Sequence, residues 1–374
     1  MRLFIFSEFS ERTLHKMPST LAEFSSQATI TYDKCAGAKT LTYPDGVDFM
    51  RMITSHPTAL FPLLIISCLV YLVVFVLGVM ILRKASRIKD EQIRSDLYLC
   101  LSTPIVVSTI CLQGMFFPKS TPGMSTISLA YVMFSLWRSV SLLFRMYGDV
   151  ENMSALMYQT STRLPLHSIP LCCCPCLPSV EPSVENIDTL KWFVLQTPVV
   201  RMVAVVVINQ IRAEGHCETT TVTKILSWVS LASTLISVYS SAIFVKMSQE
   251  HIVKYRLSGI IRCTNLTQFM YSFLRFLVDE LALNHAVFTD SQYHDGSVIE
   301  ARVKADFWYN AILILILVPI SISLNANFQP GKSALFEIEP APFAGASKRP
   351  IIDARRPIFY SSTAQSDSEL MNLV

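Results

Sequence analysis

Long apolar runs are the feature of this sequence that most restricts the folds open to it. A helix rises about 1.5 Å per residue and needs about 20 apolar residues to cross roughly 30 Å of hydrocarbon. Four runs of this kind contain no charged residue: Ala59–Leu82, Leu97–Phe117, Ile225–Val245 and Phe307–Leu324. Charged residues make up 16% of the chain, against about a quarter in soluble domains. We therefore expect each run to form a membrane-spanning helix.

Three further runs are interrupted by cations and are interpreted as spans as well: Thr126–Met146, Leu190–Ile211 and Ser258–Val278. The expected fold is an all-α polytopic membrane bundle of seven transmembrane helices over residues 59–325, with six spans as the alternative. Residues 1–58 and the Pro-rich tail 326–374 show no sustained hydrophobic period. Both segments are therefore predicted to be poorly ordered.

Seven spans place the two ends of the chain on opposite sides of the membrane, and the distribution of Lys and Arg indicates which end is inside. With the amino end outside, the segments on the cytosolic side carry fourteen of these cations. The segments on the outer side carry seven when, of residues 1–58, only Lys39 and Arg51 near the first span are counted. Cytosolic loops are enriched in Lys and Arg. We therefore predict an extracellular amino end, a cytosolic carboxyl end and a cytosolic loop 148–189.

The loop 148–189 contains a cluster of cysteines between prolines: Cys172, Cys173, Cys174 and Cys176. One interpretation is a zinc site, but tetrahedral thiolate sites usually take paired ligands from two separated segments, and these cysteines are nearly consecutive. Cytosolic cysteines close to a membrane are common sites of S-palmitoylation, so we expect acyl chains to hold this loop against the bilayer. Plain reduced thiols are the remaining alternative.

The order of several sequence stretches resembles one known family. A third span that ends in LFRMYGDVENM is followed by the CCCPCLP loop and then by KWFVLQTPVVRMVAVVV. With the later stretch WVSLASTLISVYSSAIFVKMSQEH, these features resemble the alpha subunit of the organic solute transporters over residues 59–325. The resemblance implies seven spans, an extracellular amino end and a palmitoylated cytosolic loop. Gly148–Asp149 departs from the family pattern, in which a second glycine is expected.

The same resemblance implies facilitated transport of amphipathic organic anions, such as bile acids and steroid conjugates, together with a single-span beta-type subunit. We expect the protein in the plasma membrane, in contact with membrane lipid, with further pools in the endoplasmic reticulum or endosomes. Because distant relatives lack a settled transport activity, the alternative is a membrane adaptor that regulates trafficking or signalling. A seven-span receptor is a weaker third hypothesis, and the oligomeric state stays open.

Four charged residues inside the predicted spans or directly after one are candidates for substrate binding: Arg138, Arg201, Arg275 and Asp279. An arginine near the bilayer centre costs about 2.5–3.5 kcal/mol on insertion scales, so each one needs a partner or a function. Arg138 and Arg201 are expected to attract a sulfate or carboxylate, which a guanidinium binds through two hydrogen bonds. Arg275 and Asp279 are four residues apart and can pair on one helix. The structural alternative is that each arginine pairs with a neighbouring helix or reaches toward the interface.

The remaining motifs concern disulfides, enzymes and other ligands. Cys35 and Cys217 are the cysteines that this topology places outside, so they are candidates for a disulfide.

The sequence contains no HExxH, GxSxG, GxxxxGK[ST] or GxGxxG, and we therefore expect no enzymatic activity. Scattered histidines and the lack of a basic stripe with interleaved aromatics give no reason to expect a metal site or nucleic-acid binding. Covalent palmitate is the one attached group expected.

Overall fold

The computed structural model of the chain describes residues 44–55, 60–160, 164, 180–213, 221–283, 291–292, 298–299 and 301–337. Within these residues the chain forms nine α-helices: α1 (Gly46–Ser55), α2 (Leu60–Ala85), α3 (Glu91–Phe116), α4 (Thr121–Tyr147), α5 (Val150–Gln159), α6 (Val184–Ala213), α7 (Thr221–Ile252), α8 (Leu257–Leu283) and α9 (Ala301–Asn327). A short antiparallel pair of strands lies between α8 and α9: β1 (Ser291–Gln292) and β2 (Val298–Ile299).

A long helix occupies each of the seven apolar runs found in the sequence. In the described part of the chain, six of these helices are long and apolar enough to cross a membrane: α2, α3, α4, α6, α7 and α9. The helix α8 has 27 residues, but it carries Arg262, Arg275, Asp279 and Glu280 and is not among the six. A helical membrane protein is therefore confirmed, whereas the seventh span and the orientation of the two ends stay predictions.

The helices extend beyond the apolar runs because polar residues complete their terminal turns. The helix α3 begins at Glu91, six residues before the run that starts at Leu97. The Asp90 carboxylate accepts a hydrogen bond of 2.9 Å from the N–H of Ile93 and so caps this first turn. At the other end of the next helix, Gly148 has a φ of 87°, which a residue with a Cβ rarely adopts. This turn ends α4 and allows α5 to begin.

The helices α3, α4 and α9 contribute most of the bundle centre. The helix α9 packs against α2, α3 and α8, α4 packs against α3, α6 and α8, and α7 packs between α6 and α8. Leu97, Leu136 and Ile314 are fully buried where these helices meet. One side of α2 instead leaves Ile66 and Leu69 exposed, which suits contact with lipid chains.

Two segments outside the predicted helical domain differ from the expected lack of order. In the amino-terminal segment, α1 buries Phe49 and Ile53, and the Phe49 ring centroid lies 5.9 Å from that of Phe307. After α9, the Ser333 hydroxyl donates to the Tyr255 carbonyl at 2.7 Å. Apolar and hydrogen-bonding contacts with the bundle account for the order of both segments, since short polar stretches without such contacts do not fold.

Within the loop 148–189, the residues on either side of the cysteine cluster pair with each other near α5. Leu164 and Val180 exchange two backbone hydrogen bonds of 2.8 and 3.2 Å. The Ser154 hydroxyl of α5 donates to the Pro182 carbonyl at 2.6 Å. The residues predicted to carry palmitate or to form a disulfide lie outside the described residues: Cys172, Cys173, Cys174, Cys176, Cys35 and Cys217.

Candidate functional site

A cavity of about 140 Å³ lies inside the bundle, near the end at which α6 and α8 end and α7 and α9 begin. We call this end of the bundle the α6–α7 end. Five helices line the cavity, which are α4, α6, α7, α8 and α9. Its charged and hydroxyl lining includes the following residues: Arg201, Lys224, Ser272, Arg275, Asp279 and Arg302. A concave site with a few polar groups in apolar surroundings is a candidate for ligand binding.

Arg201 lines the inner side of this cavity. It precedes the last residue of α6 by 12 residues, which is a distance of about 18 Å along the helix axis. Its side chain is 7% exposed, and its Nη1 donates to the hydroxyls of Thr234 on α7, at 3.0 Å, and Ser272 on α8. Among the described residues, its Nε has no hydrogen-bond partner and no carboxylate lies within 4.0 Å of the guanidinium. A buried cation without a counter-ion is unfavourable, so this position attracts an anion.

Two arginines and two aspartates join α8 to α9 at the same cavity. Arg275 Nη1 lies 2.8 Å from Asp306 Oδ1, and Arg275 Nε lies 3.2 Å from Asp279 Oδ1. Arg302 Nη2 lies 2.8 Å from the same Asp279 oxygen. The predicted Arg275–Asp279 pair therefore forms, but within a larger set that also contains Arg302 and Asp306. Neither aspartate of this set lies within 4.0 Å of the Arg201 guanidinium.

Arg138 lies outside this cavity, in the opposite half of the bundle. Its Nη1 donates to Asp96 Oδ1 of α3 at 3.0 Å, and Arg145 Nη1 lies 3.2 Å from the second oxygen of the same carboxylate. Asp96 is 2% exposed, whereas the Arg138 side chain is 41% exposed. The structure thus separates Arg138 from the other three predicted site residues, all of which line the cavity.

Several residues of the site were not identified in the sequence. Thr234 and Ser272 hold the Arg201 guanidinium, and Arg302 and Asp306 complete the charged set. The four-residue spacing of Arg302 and Asp306, which allows the two side chains to pair on one helix, could have indicated their role in the charged set. The contacts of Arg201 join three helices, so they depend on packing and no spacing in the sequence reveals them.

Metal-binding and thiol groups are few in the part of the chain that the structure describes. No group of three or more His, Cys, Asp or Glu residues is placed there to hold a metal ion. Four cysteines of this part are free thiols: Cys68, Cys100, Cys111 and Cys263. Three of them are buried, as is common for cysteines that pack as small apolar residues.

Comparison with known proteins identifies the family. The sequence pattern of the family described as organic solute transporter Ostalpha matches residues 62–332, more than half of the chain. The chain is 28% identical to organic solute transporter alpha-like protein 1 of Caenorhabditis elegans over 256 residues. These residues are 68% of this chain and 65% of that protein, so the match spans slightly less than two thirds of the relative's length. It is 24% identical to alpha-like protein 2 of the same organism over 262 residues, 69% of this chain and 75% of that protein. No solved structure matches the chain. The resemblance is thereby confirmed, and the chain belongs to the organic solute transporter Ostalpha family.

Proposed function

We propose that this protein moves amphipathic organic anions, such as bile acids and steroid conjugates, across a membrane down their gradients. Family membership supports a transporter role in general. The observation that carries the preference for anions is the buried guanidinium of Arg201, which faces the cavity and has no carboxylate within 4.0 Å in the described residues. In this proposal the sulfate or carboxylate of the substrate binds Arg201 through two charge-assisted hydrogen bonds.

The charge balance of the cavity supports the same preference. Four cationic and two acidic side chains line it. Lys224, at the start of α7, is exposed and therefore contributes its charge where the cavity approaches the surface. A concave surface with excess positive charge raises the local concentration of anions and speeds their association.

We further propose that α8 is the seventh span and that the amino end is outside. The charges of Arg275 and Asp279 oppose this only weakly, because these two residues of α8 pair with each other and with groups of α9. In this orientation the α6–α7 end is extracellular, so anions enter the cavity from outside. A membrane-impermeant thiol reagent on intact cells should leave Cys172–Cys176 unlabelled, and labelling of that segment would contradict the orientation.

The proposal also includes a partner and covalent modifications. A single-span beta-type subunit assembles with the chain, palmitate is attached to the cysteine cluster, and Cys35 and Cys217 form an extracellular disulfide. The backbone pairing of Leu164 with Val180 places the residues that flank the cysteine cluster next to each other at the end predicted to be cytosolic, which supports acylation near the bilayer surface. The plasma membrane is the expected site of action, with further pools in the endoplasmic reticulum or endosomes.

Uptake of a radiolabelled steroid sulfate into cells, with and without a co-expressed beta-type subunit, tests this function. We expect uptake that requires both chains and that falls about tenfold or more in Arg201→Gln at equal surface abundance, since charge-assisted hydrogen bonds are lost. Arg201→Lys, which keeps the charge, should retain more uptake. Arg138→Gln is the matched control because Arg138 lies outside the cavity.

Two results would contradict the proposal. Normal uptake by Arg201→Gln at normal abundance would remove the anion site. No flux with the partner present, combined with a trafficking defect on deletion of the chain, would instead favour the adaptor that regulates trafficking or signalling.

A further inference from the structure

We propose that the transport path continues below the cavity along a polar seam between α4, α7 and α8, where Ser237, Gln268 and Asn265 hydrogen-bond the hydroxyl groups of the passing anion. This inference rests on the proposed transport function and deepens it by naming the residues that recognise the neutral part of the substrate. The ligand class is an anion that carries hydroxyl groups along one face.

The first observation is a row of hydroxyl side chains along α7. Its members are spaced by three, four or seven residues, which places them on one face of the helix, and all are buried: Ser230, Thr234, Ser237, Ser241 and Ser248. The adjacent Ile236 is 42% exposed and lies on the outer face. The hydroxyl row therefore faces the bundle interior over much of the length of α7.

The second observation is a set of buried polar atoms that lack partners in the described structure. Ser237 Oγ, Gln268 Oε1 and Asn265 Oδ1 have no hydrogen-bond partner there, although Gln268 and Ser237 are 0% exposed. The neighbouring hydroxyls of Thr234 and Ser240 instead donate to backbone carbonyls four residues earlier. Buried polar groups are normally satisfied, so unsatisfied ones need an explanation such as a ligand.

The side-chain amide of Gln268 has one end without a hydrogen-bond partner whichever way its oxygen and nitrogen are placed. Its Nε2 lies 4.0 Å from the Met133 sulfur, which is a weak acceptor, and its Oε1 has no partner among the described residues. Exchanging the two ends of the amide leaves one end without a partner just the same. A hydroxyl group can both donate and accept, so it satisfies Gln268 whichever end faces the seam.

The unsatisfied groups lie directly below the anion site. Arg201 contacts both Thr234 and Ser272, so these two residues mark one level in α7 and α8. Ser237 lies three residues beyond Thr234, about 4.5 Å deeper, and Gln268 lies four residues before Ser272, about 6 Å deeper. Both steps lead away from the cavity because α7 and α8 run in opposite directions.

Contacts between the helices confirm this register. The Trp228 and Phe276 ring centroids lie 4.7 Å apart nearer the α6–α7 end, as an antiparallel pairing of Thr234 with Ser272 requires. Phe244, seven residues after Ser237 on the same face of α7, packs edge-on against Phe144 of α4 at 5.3 Å. The helix α4 therefore forms the third wall of the seam. Asn265 lies three residues beyond Gln268, about 10 Å below Ser272.

The size of the cavity supports such a continuation. Its volume of about 140 Å³ is less than half of the roughly 300 Å³ at which pockets for drug-sized ligands begin. An anionic head group fits in this space, but a whole steroid does not. In this inference the rest of the molecule passes along the seam, which is closed in this conformation, and its hydroxyls replace the partners that the seam groups lack.

The first experiment measures selectivity in cells that express the full chain with a beta-type subunit. Uptake of a steroid sulfate with additional hydroxyl groups is compared with uptake of the same steroid sulfate without them. We expect Gln268→Leu to lower the ratio of the two rates about fivefold, the size of one buried hydrogen bond. Leu266→Ala, at a 40% exposed residue of α8, is the control and should leave the ratio unchanged. An unchanged ratio in Gln268→Leu would overturn the inference.

The second experiment tests access of water to the seam and does not depend on transport. Membranes that contain the full chain with Ser237→Cys or Ile236→Cys are treated with a charged methanethiosulfonate, and labelling at each position is measured by mass spectrometry. We expect Ser237→Cys to react about tenfold faster, because a charged reagent does not enter lipid. Equal rates, or faster reaction of Ile236→Cys, would overturn the inference.

The two experiments separate failure of the inference from failure of the proposed function. If Arg201→Gln retains anion uptake, the proposed function fails, and labelling of Ser237→Cys still decides whether the seam admits water. If Arg201→Gln loses uptake but Gln268→Leu keeps its selectivity, the seam inference alone is wrong.

Discussion

Arg138 on α4 donates a hydrogen bond to Asp96 on α3, with 3.0 Å between Nη1 and Oδ1. Arg145, seven residues further along α4, approaches the other oxygen of the same carboxylate at 3.2 Å. One buried acid thus serves two arginines that share a helix face. This arrangement gives Arg138 a structural partner, whereas Arg201 has no carboxylate partner among the described residues. We therefore expect changes at the two arginines to have different consequences.

Asp96→Asn should destabilise the protein more than Arg138→Gln does. The first change leaves two arginines without their acid, and because both are partly exposed the cost lies below the figure of about 3–5 kcal/mol for leaving a fully buried charge unpaired. The second leaves Asp96 paired with Arg145, and the Arg138 side chain is 41% exposed. The unfolding temperatures of the two purified variants in detergent show which of them is less stable. A larger loss for Arg138→Gln would show that the carboxylate is not the centre of this group.

Asp306→Asn should weaken the packing of α8 against α9. Asp306 is 6% exposed and accepts from Arg275 at 2.8 Å, so its loss removes a buried carboxylate that joins α9 to α8. We expect a loss of about 3 kcal/mol in the free energy of unfolding. Asp188→Asn is the control, since Asp188 pairs with Lys191 at 3.7 Å in an exposed position and should cost less than about 1 kcal/mol. Similar unfolding temperatures for the two variants would argue against the interhelical role.

Gly78→Ala should disturb the contact between α2 and α3. A Cβ at Gly78 would overlap Cγ1 and Cδ1 of Ile105, and overpacking costs about 1–3 kcal/mol. Adding Ile105→Ala removes the overlapping atoms, so the double variant should lose less stability than the two single variants together. Gly123→Ala serves as a control because nothing lies within 4 Å of a Cβ there. Strict additivity of the Gly78 and Ile105 changes would contradict the close approach.

Replacement of the cysteine cluster should abolish acylation of the chain. In an acyl-exchange assay on the protein from cells, the wild type should show a mass shift that is absent when Cys172, Cys173, Cys174 and Cys176 are all changed to Ser. Cys68→Ser is the control, since Cys68 lies within α2 and not in the loop. An unchanged shift in the fourfold variant would place the acyl groups elsewhere, and no shift in the wild type would mean that the thiols are reduced.

Local properties of the sequence determined the positions of the long helices and the Arg275–Asp279 pair. A span needs a continuous apolar length, and an i,i+4 pair needs one helix, so both are visible in neighbouring residues. The outer limits of the helices were less visible, because caps such as Asp90 lie outside the apolar runs.

The tertiary structure alone decided which arginine has a carboxylate partner and which faces a cavity. Arg201 meets partners 33 and 71 residues away, and Arg138 meets an acid 42 residues away. Such contacts depend on which helix faces meet, and these are set by side-chain shape at places such as Gly78 against Ile105. Hydrophobicity along the chain specifies that helices form in the membrane, but only their packing brings charges from distant segments into one site.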